Sequence, residues 1–213
     1  MSLGKFASGQ TVSSPGCSMN QVTSVCVYCA SSRQADQEYA QSARRLGEIL
    51  GELGVTLIYG GGAVGSMGAV ADGALSRGGR VLGILPRFMD ELEWGHPGIS
   101  ELCLVDSMAQ RKQQMIDRAD ALIALPGGSG TLEELLEALT WKRLGLHGKP
   151  IVIVNTRDFY APLLAMLEHT IEERFMDVRH RDMWTVVRRV EEVLPAIREM
   201  PLWDPEARRF AAL

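Results

Sequence analysis

The sequence of 213 residues contains no apolar run long enough to cross a bilayer as a helix, which takes about 20 residues. It is poor in aromatic residues (6%) and has no excess of basic charge. Lys and Arg number 22 against 26 Asp and Glu, for a formal net charge of −4. Such a chain lacks the broad basic surface that nucleic acids and anionic membranes select, so neither is expected as a partner. Its four cysteines, Cys17, Cys26, Cys29 and Cys103, give no disulfide framework for a chain of this size and fit a reducing cytoplasm. Cys26 and Cys29 have CxxC spacing, but residues three apart on a strand point to opposite faces, and no second CxxC follows. His96, His147, His169 and His180 do not cluster, so no metal site is expected. Residues 1–21 are rich in small polar residues without the apolar stretch of a secretory signal. They are expected to form a disordered arm, with Met19 a conceivable start, ahead of a single domain over residues 22–213.

What the chain does contain is an alternation of short β-rich runs with amphipathic segments. Residues 22–28, 55–59, 80–85, 102–105, 121–125 and 151–155 read as buried strands, with 185–187 a seventh. Tyr39, Leu46, Ile49, Leu50 and Leu53 mark one face of an intervening helix. Leu132, Leu135, Leu136 and Leu139 mark another at i, i+3, i+4, i+7, which sends Glu134, Glu137 and Trp141 to its far side. This pattern predicts an α/β fold: a doubly wound, Rossmann-like parallel sheet with helices on both faces. In such sheets ligands bind beyond the carboxyl ends of the strands, which directs attention to two glycine-rich turns.

The first turn, "GGGAVGSMG" from Gly60, places Gly60, Gly62 and Gly65 in GxGxxG spacing between a strand and a helix. A dinucleotide site also wants an acidic residue at the end of the next strand, and here that strand runs into Pro86 and Arg87. Gly60, Gly61 and Gly62 are therefore a candidate phosphate or ribose loop, or simply a place where a small-residue helix packs closely. The second turn, "LPGGSGTLEELLEAL" from Leu125, is more specific. Gly127, Gly128 and Gly130 free the backbone to direct N–H groups into one concavity, Ser129 and Thr131 add hydroxyls, and the following helix offers its positive end. An alternative use is capping, with Ser129 or Thr131 at the N-cap and Glu133 or Glu134 completing a capping box. Upstream, "DSMAQRKQQMIDRAD" places Arg111 and Lys112 on the same helical side as Met108, Met115, Ile116 and Ala119. An unpaired charge buried there is costly, so Arg111 needs a partner or an anionic ligand, whereas Lys112 can snorkel outward.

"PGGSGTLEE" matches the PGGxGTxxE signature of the Lonely Guy (LOG) family, and the chain resembles that family throughout. The likeness continues through "VCVYCASS", "IYGGGAVGSMGAVADGAL", "VLGILPRFM", "HPGISELCLVDSMAQRKQQM", "ALTWKRLGLHGKPIVIVN" and "FYAPLLAMLEHTIEERF". The resemblance implies a cytokinin riboside 5′-monophosphate phosphoribohydrolase, which cleaves an N-glycosidic bond to give free base and ribose 5-phosphate without a cofactor. It implies Arg111 and Glu134 as the catalytic pair. It implies substrate contacts from Glu93, Lys112, Gly128, Ser129, Gly130, Thr131, Leu132, Glu133 and Thr140, and a homodimer with sites near the subunit interface. The chain departs from the family pattern at Ala30, Ser66, Ala109 and Ser129, none of which removes the pair. Two other readings compete with the enzyme. One is a non-catalytic nucleotide or cofactor carrier of the same fold, which needs the loops but not Arg111 and Glu134. The other is a pyridoxal-dependent decarboxylase, a label often given to such proteins, which needs a Schiff-base lysine from Lys112, Lys142 or Lys149.

Overall fold

The computed structural model describes residues 22–92 and 94–211. Seven strands, β1 (Ser24–Tyr28), β2 (Thr56–Tyr59), β3 (Val81–Pro86), β4 (Glu101–Val105), β5 (Ala121–Ala124), β6 (Ile151–Val154) and β7 (Thr185–Val187), form one sheet in the order β4-β3-β2-β1-β5-β6-β7. Every neighbouring pair is parallel. The chain starts in the middle, builds outward through β4, then crosses back to pair β5 against the free side of β1. The strand order therefore reverses between β1 and β5, and the chains leaving them diverge to open a crevice.

The seven runs read from the sequence all form strands, with ends shifted by one or two residues. Their near-continuous apolar character follows from burial on both faces. On one face Val25, Val27 and Cys29 meet helices α1 (Gln37–Glu52), α2 (Gly65–Ser76) and α7 (Val193–Glu199). On the other, Cys26 and Tyr28 meet α4 (Met108–Asp117), α5 (Ser129–Arg143) and α6 (Ala161–Glu172). A four-residue α3 (Arg87–Asp90) follows β3. Cys26 and Cys29 thus lie in different cores, as their strand spacing requires.

Helix α1 corrects one detail of the periodicity. Leu46 and Leu50 are buried, but Leu53 is 58% exposed, because the helix ends at Glu52 and Gly54 turns the chain at φ 67°. The tight face is made instead by Ala43, Gly47 and Gly51, seated against α2. A Cβ at Gly47 would stand 2.1 Å from the carbonyl oxygen of Val70. Small residues on both helices let their backbones touch. Among the described residues, no helix is long and apolar enough to cross a membrane.

Candidate active site

A cavity of about 800 Å³ opens at the carboxyl ends of the central strands. Its walls are residues 29–33 after β1, Gly60 and 62–64 after β2, Met67 of α2, and residues 128–131 with Glu134 after β5. Leu85, Met89, Trp94 and Met108 make an apolar side. Because the chains leaving β1 and β5 diverge here, the space exists without any distortion of the sheet.

Arg111 forms the floor and is 6% exposed. Its helix, α4, begins at Ser107, whose side chain accepts from the Gln110 N–H, and it buries Met115 and Ile116 one turn further on. That face carries Arg111 inward, where each of its three nitrogens faces a partner. Nε donates to the Ile84 carbonyl at 3.1 Å and Nη2 to the Gly60 carbonyl at 3.3 Å, while Nη1 lies 3.5 Å from Glu134 Oε1. A Cβ at position 60 would stand 2.0 Å from Nη2. Gly60 is therefore glycine to admit the guanidinium, a use of the GxGxxG pattern distinct from phosphate contact. Gly61, at φ 81°, turns the chain beneath Leu85 and is not in the cavity wall, whereas Gly62 is.

Glu134 is 4% exposed and faces inward, not to the far side read from the leucines, although Leu135 and Leu139 are buried as that reading expects. The buried side of α5 is Thr131, Glu134, Leu135, Ala138, Leu139 and Lys142, while Leu136 is 40% exposed. The helix meets the sheet through Leu135, Ala138 and Leu139, and its first turns border the cavity. Polar residues at 131 and 134 are thus on the inner side without entering an apolar core. Burial raises the Glu134 carboxyl from the ordinary glutamate range to about 7, against the opposing pull of the Arg111 guanidinium.

No side chain caps the N-terminus of α5. Gly128 occupies the N-cap position, and neither the Ser129 nor the Thr131 hydroxyl accepts from the first turn. The expected capping box is also missing, since Glu133 pairs with Lys112 and Glu134 with Arg111. The Leu132 N–H closes the first backbone bond, onto the Gly128 carbonyl at 3.0 Å, so the amides of residues 129–131 precede the helical ladder. α2 starts in the same way, with Val64 at its N-cap and no side-chain cap. Two positive helix ends therefore border one cavity, where Glu134 is the single carboxylate among the described residues.

Other residues named from the sequence sit elsewhere. Lys112 Nζ lies 2.7 Å from Glu133 and 3.0 Å from Glu137, bridging α4 to α5 outside the cavity wall. The exposed Thr140 donates its hydroxyl to the Leu136 carbonyl, one turn back. Leu132 packs at the edge of the core, Trp141 is partly buried against the same core, and Glu93 lies outside the described residues. No described lysine lines the cavity. Lys142 is buried near the end of α5, donating to the Met183 carbonyl at 2.9 Å, and Lys149 donates to the carbonyls of Ile116 and Asp117. Among the described residues, no group of three His, Cys, Asp or Glu could hold a metal ion. The reading of the sequence missed Ser31, Ser32 and Arg33 after β1, and the apolar Met67, Met89 and Trp94. Met89 and Trp94 lie in and after a four-residue helix, where no periodic pattern marks them.

A protein family described as "Possible lysine decarboxylase" matches residues 67–197. The cytokinin riboside 5′-monophosphate phosphoribohydrolase of Rhodococcoides fascians is 42% identical over 176 residues, covering 82% of this chain and 89% of its own. The protein of that name from Arabidopsis thaliana is 40% identical over 183 residues, covering 85% and 82%. The molybdenum cofactor carrier protein of Chlamydomonas reinhardtii has a solved structure that superposes with a TM-score of 0.62. It is 20% identical and covers 84% of this chain and 98% of its own, a likeness of fold alone.

Proposed function

Because the chain belongs to the Lonely Guy family of cytokinin riboside 5′-monophosphate phosphoribohydrolases, we propose that its cavity hydrolyses the N-glycosidic bond of a purine nucleoside 5′-monophosphate. The products are free base and ribose 5-phosphate, and Arg111 and Glu134 are the reacting pair. The observation that carries this reading is a buried, charge-paired carboxylate sharing one cavity with a helix N-terminus left without a cap. The 5′-phosphate takes the place of the missing cap at residues 128–131. The apolar side, with Met67, Met89, Trp94 and Met108, receives the base.

As the bond to the base breaks, its electron pair leaves with the base and positive charge develops on the ribose. The Glu134 carboxylate faces that charge and accepts a proton from water as the water oxygen bonds to C1′. Glu134 then releases that proton, through solvent, to balance the one the departing base takes up, which restores the carboxylate. Arg111 holds Glu134 in place and favours its ionised form. Its own position is fixed by two backbone carbonyls, so the pair needs little rearrangement when substrate enters.

The direct test is incubation with AMP and with isopentenyladenosine monophosphate, followed by chromatography. Free base and ribose 5-phosphate are expected from at least one of them. Binding without cleavage over many hours would favour a carrier, which has no use for a buried Arg111–Glu134 pair. The acid limb gives a second check. Since Glu134 acts as the carboxylate and its carboxyl sits at about 7, kcat/KM should fall about tenfold per pH unit below that value. A limb near pH 4.5 would mean that a different, exposed group titrates.

In this reading, residues 22–213 act as one cytoplasmic domain that takes mononucleotides rather than nucleic acid, and two copies form a homodimer. Supporting the dimer, Leu136, Leu144 and Leu146 are exposed along the outer side of α5 and just beyond it. A separate cleft of about 280 Å³ there is lined in part by Trp141 and Leu146. Light scattering at micromolar concentration should give twice the chain mass. A fully active monomer would rule out a required interface.

A further inference from the structure

Among the described residues, the cavity wall contains two cations, Arg33 and Arg111. Arg111 is buried, and each of its three nitrogens already faces a partner, Ile84, Gly60 or Glu134. Arg33 is exposed, and among the described residues it makes neither an ion pair nor a side-chain hydrogen bond. Even with the uncapped ends of both α2 and α5 on the cavity, a phosphate dianion would keep about half of its charge uncompensated, because each helix end supplies about half an elementary charge. A mobile donor on the wall would supply the balance, and Arg33 is the exposed cation among the described wall residues.

The loop that carries Arg33 is braced along its length. At its start the Ala30 carbonyl accepts from the Met67 N–H of α2 at 3.0 Å. In its middle the chain rests on Gly65, where a Cβ would stand 2.5 Å from the Ser32 carbonyl oxygen, and the Ser32 hydroxyl accepts from the Gln34 N–H at 3.2 Å. At its end Asp36 caps α1 by accepting from the Glu38 N–H at 3.0 Å, and it pairs with Arg157. Arg157 and Asp158, after β6, both have positive φ, 56° in each case, a conformation that non-glycine residues adopt at some energetic cost. The backbone under Arg33 is thus fixed while its side chain is free. That combination suits a residue that folds over a ligand after entry.

We infer that Arg33 is a specificity-determining residue of the proposed reaction, clamping the substrate's 5′-phosphate against the uncapped first turn of α5. The inference rests on the reading of the cavity as a nucleoside monophosphate site. A guanidinium offers paired donors to two phosphate oxygens, which a lysine cannot reproduce.

The experiment compares wild type, Arg33→Ala and Arg33→Lys by two readouts. The first is the ratio of kcat/KM for AMP to that for adenosine. Arg33→Ala should lower this ratio about ten- to a hundredfold, mainly through KM for AMP, with Arg33→Lys in between. The second is calorimetric binding of ribose 5-phosphate, which needs no turnover, and its affinity should weaken by a similar factor. Equal losses on AMP and adenosine would assign Arg33 a structural role and overturn the clamp. Unchanged ribose 5-phosphate affinity in Arg33→Ala would overturn it as well. If wild type cleaves neither substrate, the hydrolase reading fails, and the binding comparison still decides whether Arg33 holds phosphate.

Discussion

Glu134→Gln should lower kcat for AMP about a hundred- to ten-thousandfold, the range associated with losing a positioned general base or a charge that faces the transition state. The substitution is nearly isosteric and removes only the ability to carry negative charge. Arg111 keeps its bonds to the Ile84 and Gly60 carbonyls, so the cavity floor should stay in place and the defect should lie in turnover rather than in folding. Single-turnover chromatography measures the first, and thermal melts followed by circular dichroism measure the second. The melts carry a pH signature of their own. Burial raises the folded-state Glu134 carboxyl from 4.5 to about 7. Wild type therefore gains stability from this group below the unfolded value and loses it as pH rises through about 7. Glu134→Gln lacks that titration, so the stability difference between the two proteins should shift in favour of Gln between those limits. Turnover within a few-fold of wild type would remove Glu134 from the chemistry.

Removing the substrate's 5′-phosphate is expected to be as damaging as removing the catalytic carboxylate. Adenosine would leave the amides of residues 129–131 without an anion. Hydrogen bonds to charged groups contribute about 1.5–3 kcal/mol each, so losing two amounts to roughly 3–6 kcal/mol. That corresponds to about a hundred- to ten-thousandfold in kcat/KM. Because the phosphate is remote from the bond that breaks, part of this loss should appear in kcat, as binding energy that no longer positions the ribose. Changes to the base should matter less, since an apolar pocket distinguishes one methylene by about 1–3 kcal/mol. Equal kcat/KM for AMP and adenosine would mean that the loop does not hold a phosphate.

The sheet was legible in the sequence because strands buried on both faces must be apolar throughout, and the turns between them are marked by glycine and proline. Arg111 was legible for the opposite reason, as a charge where periodicity called for leucine. Glu134 was identified by motif but placed on the wrong side of its helix. Counting leucines treats a helix as having one apolar stripe facing one partner. α5 faces a sheet over its middle and a cavity at its start, so Leu136 turns outward while Glu134 turns in. The empty N-cap was also unreadable. Serine and threonine at 129 and 131 have the right chemistry to cap, and only the backbone position of Gly128 decides that they do not. Arg33 lies in a polar loop with no pattern around it, and the meeting of α1, α2 and β6 brings it to the cavity.

Gly60 has a consequence for how such chains can change. Its missing side chain is the space that the Arg111 guanidinium occupies, with 2.0 Å between Nη2 and where a Cβ would stand. The two positions, fifty-one residues apart, cannot vary independently. Any residue larger than glycine at 60 displaces the arginine, and once the arginine is shortened the remaining close neighbour of a Cβ there is the flexible end of Met67, at 3.2 Å. A lineage that lost the chemistry at 111 would therefore be released to fill position 60. The first glycine of the triplet then serves as a marker of whether the arginine beneath it is still in use, a dependence that a search for nucleotide fingerprints would misread as loop chemistry.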